Sequence, residues 1–455
     1  MEQETGKKIR CRVPAWIVSI AGTLGLGTAF VLWLIGERPA AAGAIAAACS
    51  LVLFVIACIR FVPGFLAFFT ERDDTLSDDP EPKHILPAVA ALAFAVEVLL
   101  FGIAALALFL RNGSGFTLRS TVEIWRSLDS AHYLDIMREW YIDDGDWGRV
   151  VQLVFLPGYP LVVYPFYRIL GSDIGAGILV SSAAFPAACC VLYRLLRLDW
   201  DHKRAFRTVL MLFLLPGGFF FIAPMSESLY LLLALSALYC LRRKRYLLAG
   251  LFGAYCAFTR TVGLLLLAPV VLEWIRSFPK ERTERGKWAC GILTILLIPA
   301  GFAAYLWINK TVSGNPLQFL IYQRDHWSQQ LGWFFGTAAY QTKYLLGCLE
   351  DGNRSNFLGL WLPNLLWHFG TLGLFAYASK KLRPGYAAWF IAYFAIAIGT
   401  TWLLSGPRYL LAMPVVAMML ALVTEKRWQQ WLAALVLVPL SILYLIAFIC
   451  RWQVW

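Results

Sequence analysis

What most constrains this chain is a succession of thirteen apolar runs, at residues 15–36, 39–59, 85–110, 174–193, 205–223, 226–241, 246–259, 261–275, 288–308, 357–378, 387–404, 409–423 and 429–449. Several exceed the ~18 residues that mark a helix able to cross a bilayer. Lipid offers no partner for backbone N–H and C=O groups, so such runs fold as helices that satisfy their own hydrogen bonds. The chain is 60% apolar and 15% charged, whereas soluble chains carry roughly 45–50% and 25%. A water-soluble protein is excluded, and the expected fold is an all-α polytopic membrane protein with about thirteen transmembrane helices.

A fourteenth run, 151–170, contains Pro157, Pro160 and Pro165. Three prolines in nine residues argue against a straight helix. The 40 Lys+Arg against 28 Asp+Glu give +12, and with no nucleic-acid-binding motif alongside, this excess speaks to topology. Basic residues accumulate on the cytoplasmic side. With the N-terminus inside and 151–170 not crossing, the inner connections hold 25 Lys+Arg and the outer ones 14. Run 151–170 is therefore expected to be a re-entrant or interfacial segment on the outer face, with the C-terminus outside. Run 15–36 follows Lys7, Lys8, Arg10 and Arg12 but lacks a small-residue cleavage site, so it reads as a retained helix. Residues 1–70 form an expected accessory hairpin and 71–84 an acidic cytoplasmic linker. The remainder, 85–455, forms one transmembrane domain with outer loops 111–173 and 309–356.

Ten cysteines give neither a disulfide framework nor zinc spacing. The polar chemistry lies on the expected outer face. Within loop 111–150, Asp129, His132, Tyr133 and Ile136 share one face of a helix, whereas Asp135 points away. Asp129 suits a helix N-cap equally well. An Asp129–His132–Asp135 metal site does not hold one face, and no metal is expected. Asp143, Asp144 and Asp146 form a solvated turn. Further motifs are FLPGYP at 155–160, PMSES at 224–228, TRT at 259–261 and SGPRY at 405–409. Ser226 and Glu227 could simply start a helix. Arg260 and Arg408 are either snorkelling anchors or anion-binding groups, since a planar guanidinium bonds two phosphate oxygens at once. Phe319, Tyr322, Trp327, Trp333, Phe334, Phe335, Tyr340 and Tyr344 of 309–356 form an interfacial aromatic belt, or else stack on sugar rings or pack on a lipid chain. Glu97 is the clearest mid-span charge, and the sequons at Asn112, Asn309 and Asn353 fall outside.

In this order, these residues resemble the PIG-V-type mannosyltransferases of the GT-C glycosyltransferase superfamily. The family's W-D-S-x-H-[FY] segment is matched by Leu128 to Tyr133, and its F-F-P-x-Y-P segment by Phe155 to Pro160. Ser226-Glu227-Ser228, Thr259-Arg260 and Pro407-Arg408-Tyr409 follow. Leu128 replaces the usual Trp, and Leu156 the second Phe.

The resemblance implies a GT-C-like fold and inverting transfer of a mannose-like sugar. The donor would be a polyprenyl-phosphate sugar, the acceptor a glycan or lipid-glycan, and the reaction on the non-cytoplasmic face. Asp129 and His132 would be catalytic. Tyr133, Pro157, Tyr159, Ser226, Glu227, Arg260, Arg408 and Tyr409 would bind substrate. A donor already anchored in the membrane needs no nucleotide fold, and no cofactor is implied. The membrane would be the plasma membrane in a bacterium and the endoplasmic reticulum in a eukaryote. Another GT-C transferase or a lipid-linked sugar flippase are the alternatives; the crowding of polar motifs at outer helix ends favours the enzyme.

Overall fold

The computed structural model of the protein describes residues 14–70, 81–142, 150–278 and 284–454. The basic residues before position 14, most of the acidic linker, the Asp143–Asp146 turn and residues 280–283 lie outside these. Among the described residues the chain is all-α, with one isolated bridge between Leu331 and Thr400. Six helices are long and apolar enough to cross a membrane: Ala15–Glu37, Ala41–Phe69, Ile85–Asn112, Asp173–Leu196, Arg285–Ser313 and Arg427–Ile449. The chain is a multi-pass membrane protein.

The other apolar runs are shorter or broken, which the expected count of thirteen did not anticipate. Run 205–223 becomes the helix His202–Leu214 and a 3-10 turn, Gly218–Phe221. The break falls at Leu215, whose extended backbone (φ −64°, ψ 129°) is what the following Pro216 demands. Run 261–275 divides into a 3-10 stretch, Thr261–Leu266, and the helix Leu267–Arg276. In run 387–404 a helix passes into a π-helical turn, Phe394–Ile398. Run 409–423 is interrupted at Pro414, after which Val415–Val423 is helical.

These pieces form the buried centre, whereas the long helix Ala15–Glu37 has no buried residue. Irregular backbone at membrane depth needs side-chain partners. Ser181 Oγ donates to Ala223 O at 2.8 Å and Ser228 Oγ to Phe221 O at 2.7 Å.

Segment 151–170 forms a 3-10 turn, Val151–Val154, and a helix, Gly158–Leu170. Pro160 is tolerated in the first turn, where its missing N–H costs nothing. At ~1.5 Å per residue, thirteen residues reach about 20 Å, short of a ~30 Å hydrocarbon core. Arg126, before the segment, bonds both oxygens of Asp173, after it, at 2.9 and 2.7 Å. Residues 126 and 173, on either side of this segment, are thus held together.

The helix Glu227–Arg242 lies at the centre and its termini mark the two ends. The N-terminal hairpin packs on the rest through Phe54 against Phe334, with ring centroids 4.5 Å apart, and through a buried Ser50–His368 hydrogen bond of 2.7 Å. Glu97 is buried in the helix Ile85–Asn112.

Candidate active site

The site begins with a backbone irregularity. Leu128 has φ 56° and ψ −136°, outside the regions a bulky residue ordinarily adopts. As a result Asp129 starts the helix Asp129–Glu139 and does not cap it; no side-chain cap bond is made there. Local bonding falls to Ser130, whose Oγ accepts from Ser127 N at 2.7 Å. The Asp129 carboxylate is thus free of local duty, and it accepts a hydrogen bond from Arg408 Nη2 across 279 positions.

Arg408 is buried, which excludes the snorkelling anchor. Its Nε lies 3.2 Å from Glu227 Oε1. That same oxygen accepts from Arg260 Nη1, which also reaches Ser226 Oγ at 3.2 Å. Two carboxylates and two guanidiniums therefore alternate in the order Asp129, Arg408, Glu227, Arg260. Tyr409 lies beside both cations, 5.6 Å from the Arg408 guanidinium carbon and 5.5 Å from that of Arg260.

Glu227 is 1% exposed and its Oε2 has no hydrogen-bond partner. Neither it nor Ser226 serves mainly as a helix start, because Ser226 makes no side-chain cap bond and bonds Tyr133 Oη at 3.0 Å. Burial pushes the Tyr133 phenol up, with Arg260 opposing, so it stays a neutral hydrogen-bonding group.

The remaining motif residues position these groups. His132 stacks on Phe155, centroids 4.5 Å apart and planes 15° from parallel. Burial lowers its basicity, while Asp129 and Asp135 act the other way. Asp135 itself pairs with Arg138 away from the cluster, as the helical spacing requires. Tyr159 is fully buried and donates to Gly177 O at 2.8 Å, so it acts as a strut. Pro157 precedes the helix Gly158–Leu170. A Cβ on Gly158 would sit 2.8 Å from Thr259 Cα and 3.0 Å from Phe258 O, so only glycine lets the FLPGYP segment close on the Thr-Arg turn.

A cavity of about 90 Å³ opens beside Asp129 and Arg408. Trp327 reaches it from loop 309–356, whereas Trp333 and Tyr344 are exposed and Phe319, Phe334 and Phe335 are core. The loop is thus not a uniform aromatic belt. Asn309 is buried and held by Tyr305 O and Phe319 N, closed to glycosylation. Sequence reasoning missed Gln323, Gln329 and Trp402 on the cavity wall. It also missed a second cluster at the Arg242 end: Arg242 bonds both oxygens of Asp199 at 2.8 Å, and Arg383 bridges Asp199 at 3.0 Å and Glu273 Oε2 at 2.8 Å. Charged residues terminating apolar runs were the available signal.

Residues 153–290 match the family model described as Mannosyltransferase (PIG-V). The likeness is to the PIG-V mannosyltransferases. Relatives called GPI mannosyltransferase 2 agree. That of Chaetomium globosum is 31% identical over 198 residues, 37% of this chain and 41% of the relative. That of Yarrowia lipolytica is 36% identical over 111 residues, 24% of this chain and 31% of the relative. In Cryptococcus neoformans var. neoformans serotype D the figures are 33% over 144 residues, 30% and 34%. The chain thus spans about two fifths or less of the length of these relatives. Among solved structures, ArnT from Cupriavidus metallidurans bound to undecaprenyl phosphate aligns with 78% of this chain and 75% of its own, at TM-score 0.44 and 16% identity. The PIG-V match contains Tyr159, Glu227 and Arg260 but stops short of Asp129 and Arg408 on either side, and the fold joins those two to it.

Proposed function

We propose that this chain is an integral-membrane mannosyltransferase that moves a mannose-like sugar from a polyprenyl-phosphate donor to a glycan or lipid-glycan acceptor, with inversion, on the non-cytoplasmic face. The observation that carries the reading is the convergence of Asp129, Glu227, Arg260 and Arg408 from four separate motifs at one end of the bundle. The PIG-V match and the relatives' names support the sugar.

In this reading the acceptor hydroxyl oxygen bonds to the anomeric carbon as the bond from that carbon to the phosphate oxygen breaks. The proton goes to the Asp129 carboxylate, and the polyprenyl phosphate leaves with the electron pair. Arg408 orients Asp129 and Glu227. Arg260 uses only Nη1 on its protein partners, and its remaining donors suit the leaving phosphate. His132, stacked on Phe155, holds the wall of the site. The sidedness rests on the basic bias, supported by the meeting of four expected outer motifs at one end and of three expected inner connections, 194–204, 242–245 and 379–386, at the other.

The test is sugar transfer by purified protein in detergent or nanodiscs, from synthetic polyprenyl-phosphate mannose to mannose-terminated acceptors. Radiolabel appearing in acceptor with inverted configuration is the expected result. No transfer from that donor to any acceptor sinks the reading.

A further inference from the structure

The cavity beside Asp129 has a wall unlike the rest of the molecule. Apart from Asp129 and Arg408 it presents neutral groups, chiefly Gln323, Gln329, Trp327, Trp402 and Ser405. Arg260 is not on that wall. We propose that this cavity is the acceptor subsite and takes a neutral pyranose ring, with Trp327 and Trp402 against its flat faces and Gln323 and Gln329 reading its hydroxyls. The inference rests on the transferase reading and deepens it.

Carboxamides and a serine hydroxyl both donate and accept, as the hydroxyls of a sugar do. Gln323 Nε2 donates to Gln329 Oε1 at 3.4 Å, and Gln329 Nε2 to Trp402 O at 3.2 Å. These bonds aim the pair and still leave Gln323 Oε1 and one N–H of each amide for a ligand. A phosphate would find Arg408 as the one cation on this wall, already engaged by two carboxylates. Neutral ligands are therefore favoured here, and the anionic end of the donor is favoured near Arg260.

The wall is also rigid before any ligand arrives. Ser328, at φ 52°, ends the helix Gln318–Trp327 and reverses the chain. The strap that follows is stitched to residues 399–401: Gly332 N to Gly399 O at 2.8 Å, Thr401 N to Gln330 O at 2.9 Å, Gln330 N to Thr401 Oγ1 at 2.9 Å, and Thr401 Oγ1 to Ser328 O at 2.8 Å. Trp402 is packed by Tyr340, Tyr344 and Trp361. A ring held this way loses little entropy when a ligand stacks on it.

Steady-state kinetics with an alkyl α-mannoside as acceptor and synthetic polyprenyl-phosphate mannose as donor test the assignment. Gln329→Leu and Trp327→Ala, from two different elements, are each expected to raise the acceptor KM about 10-fold or more, with the donor KM within about 2-fold of wild type. Thermal unfolding of each variant near wild type marks the change as local. A rise in donor KM with the acceptor KM unmoved overturns the assignment in favour of a donor-sugar pocket, and no change in either overturns it outright. These results leave the enzymatic reading intact, because wild-type transfer is measured in the same assay. A wild type that transfers nothing takes both down.

Discussion

The helix Glu227–Arg242 carries a four-charge cluster at each of its ends, and the two are built differently. At the Arg242 end, Asp199 and Glu273 face Arg242 and Arg383, and bidentate bonds occupy both carboxylates, with Tyr386 Oη a further 3.4 Å from Asp199. Burial raises the Asp199 carboxyl, but Arg242 and Arg383 overcome this and hold it below its usual range. At the Glu227 end the counts of each sign are the same, yet Glu227 Oε2 is buried without a partner and Asp129 remains a quarter exposed beside a cavity. A saturated network ties connections together. An unsaturated one leaves acceptor and donor capacity for something that binds, and maintaining it costs stability that function must repay.

The largest effect is expected where that contrast is cut on its saturated side. Removing one partner of a buried pair leaves an uncompensated charge, a loss on the order of 3–5 kcal/mol. Arg242→Ala should therefore lower yield and thermal stability sharply, while whatever protein remains folded keeps wild-type KM values. A variant as stable as wild type would erase the distinction between the two ends.

Asp129→Asn sharpens the other side. Asparagine keeps the shape and can still accept from Arg408, but it cannot take a proton at neutral pH. Turnover should fall by about 10²-fold or more, with a smaller loss of thermal stability than in Arg242→Ala, because the amide oxygen still accepts from Arg408 and Glu227 still faces that cation. Retention of most transfer activity with saturating donor would move the base elsewhere, and Glu227 would be the next residue to test. Asp135→Asn, paired with Arg138 off the cluster, should be nearly silent.

A smaller effect is expected at the guanidiniums. Arg408→Lys keeps the charge but cannot address Asp129 and Glu227 with separate nitrogens of one plane, so kcat should drop roughly 10-fold, the worth of about one charge-assisted hydrogen bond. Arg260→Lys should instead weaken donor binding by a similar factor. Donor affinity falling in the Arg408 variant and not in the Arg260 variant would exchange the roles given to them.

The two clusters also show what a sequence of this kind reveals. Membrane runs were legible because lipid forces apolar composition, and the residues of the Glu227 end were legible because polar groups interrupt that composition at few places. The breaks in runs 205–223, 261–275 and 387–404 were not, since the broken pieces are as apolar as the intact helices; Pro216 and Pro269 gave the local notice there was. Pairing was not legible at all: Asp129 and Arg408 are 279 positions apart, and Arg383 and Asp199 are 184. Arg242 was read as a topology signal alone, and its role as a tie, with its side chain 7% exposed between Asp199 and Glu273, was not foreseen. The capping alternative for Asp129 fell to the φ of one neighbour, Leu128, which propensity does not report. Gln323 and Gln329 carried no signal because glutamine is ordinary in a loop.

The smallest expected effect separates the two ends by pH. His132 is stacked on Phe155 and partly buried, which lowers its pKa from the usual 6.5, the carboxylates of Asp129 and Asp135 offsetting part of the loss. A histidine whose folded pKa is depressed takes up its proton more readily in the unfolded chain. Its contribution to stability is therefore complete above pH 6.5 and declines as pH falls through 6.5 and then through the folded value. No histidine belongs to the cluster at the Arg242 end, where Arg242 and Arg383 hold the Asp199 carboxyl below its usual range. Thermal unfolding followed from pH 7.5 to 5 should show a decline near pH 6 in the wild type, and a flatter limb in His132→Gln. Each pH unit of depression corresponds to about 1.4 kcal/mol at most, so a change of a few degrees is the scale to look for. Identical acid limbs in the two proteins would mean that the Phe155 stack accepts an imidazolium as readily as an imidazole, with the ring face supplying what burial takes away.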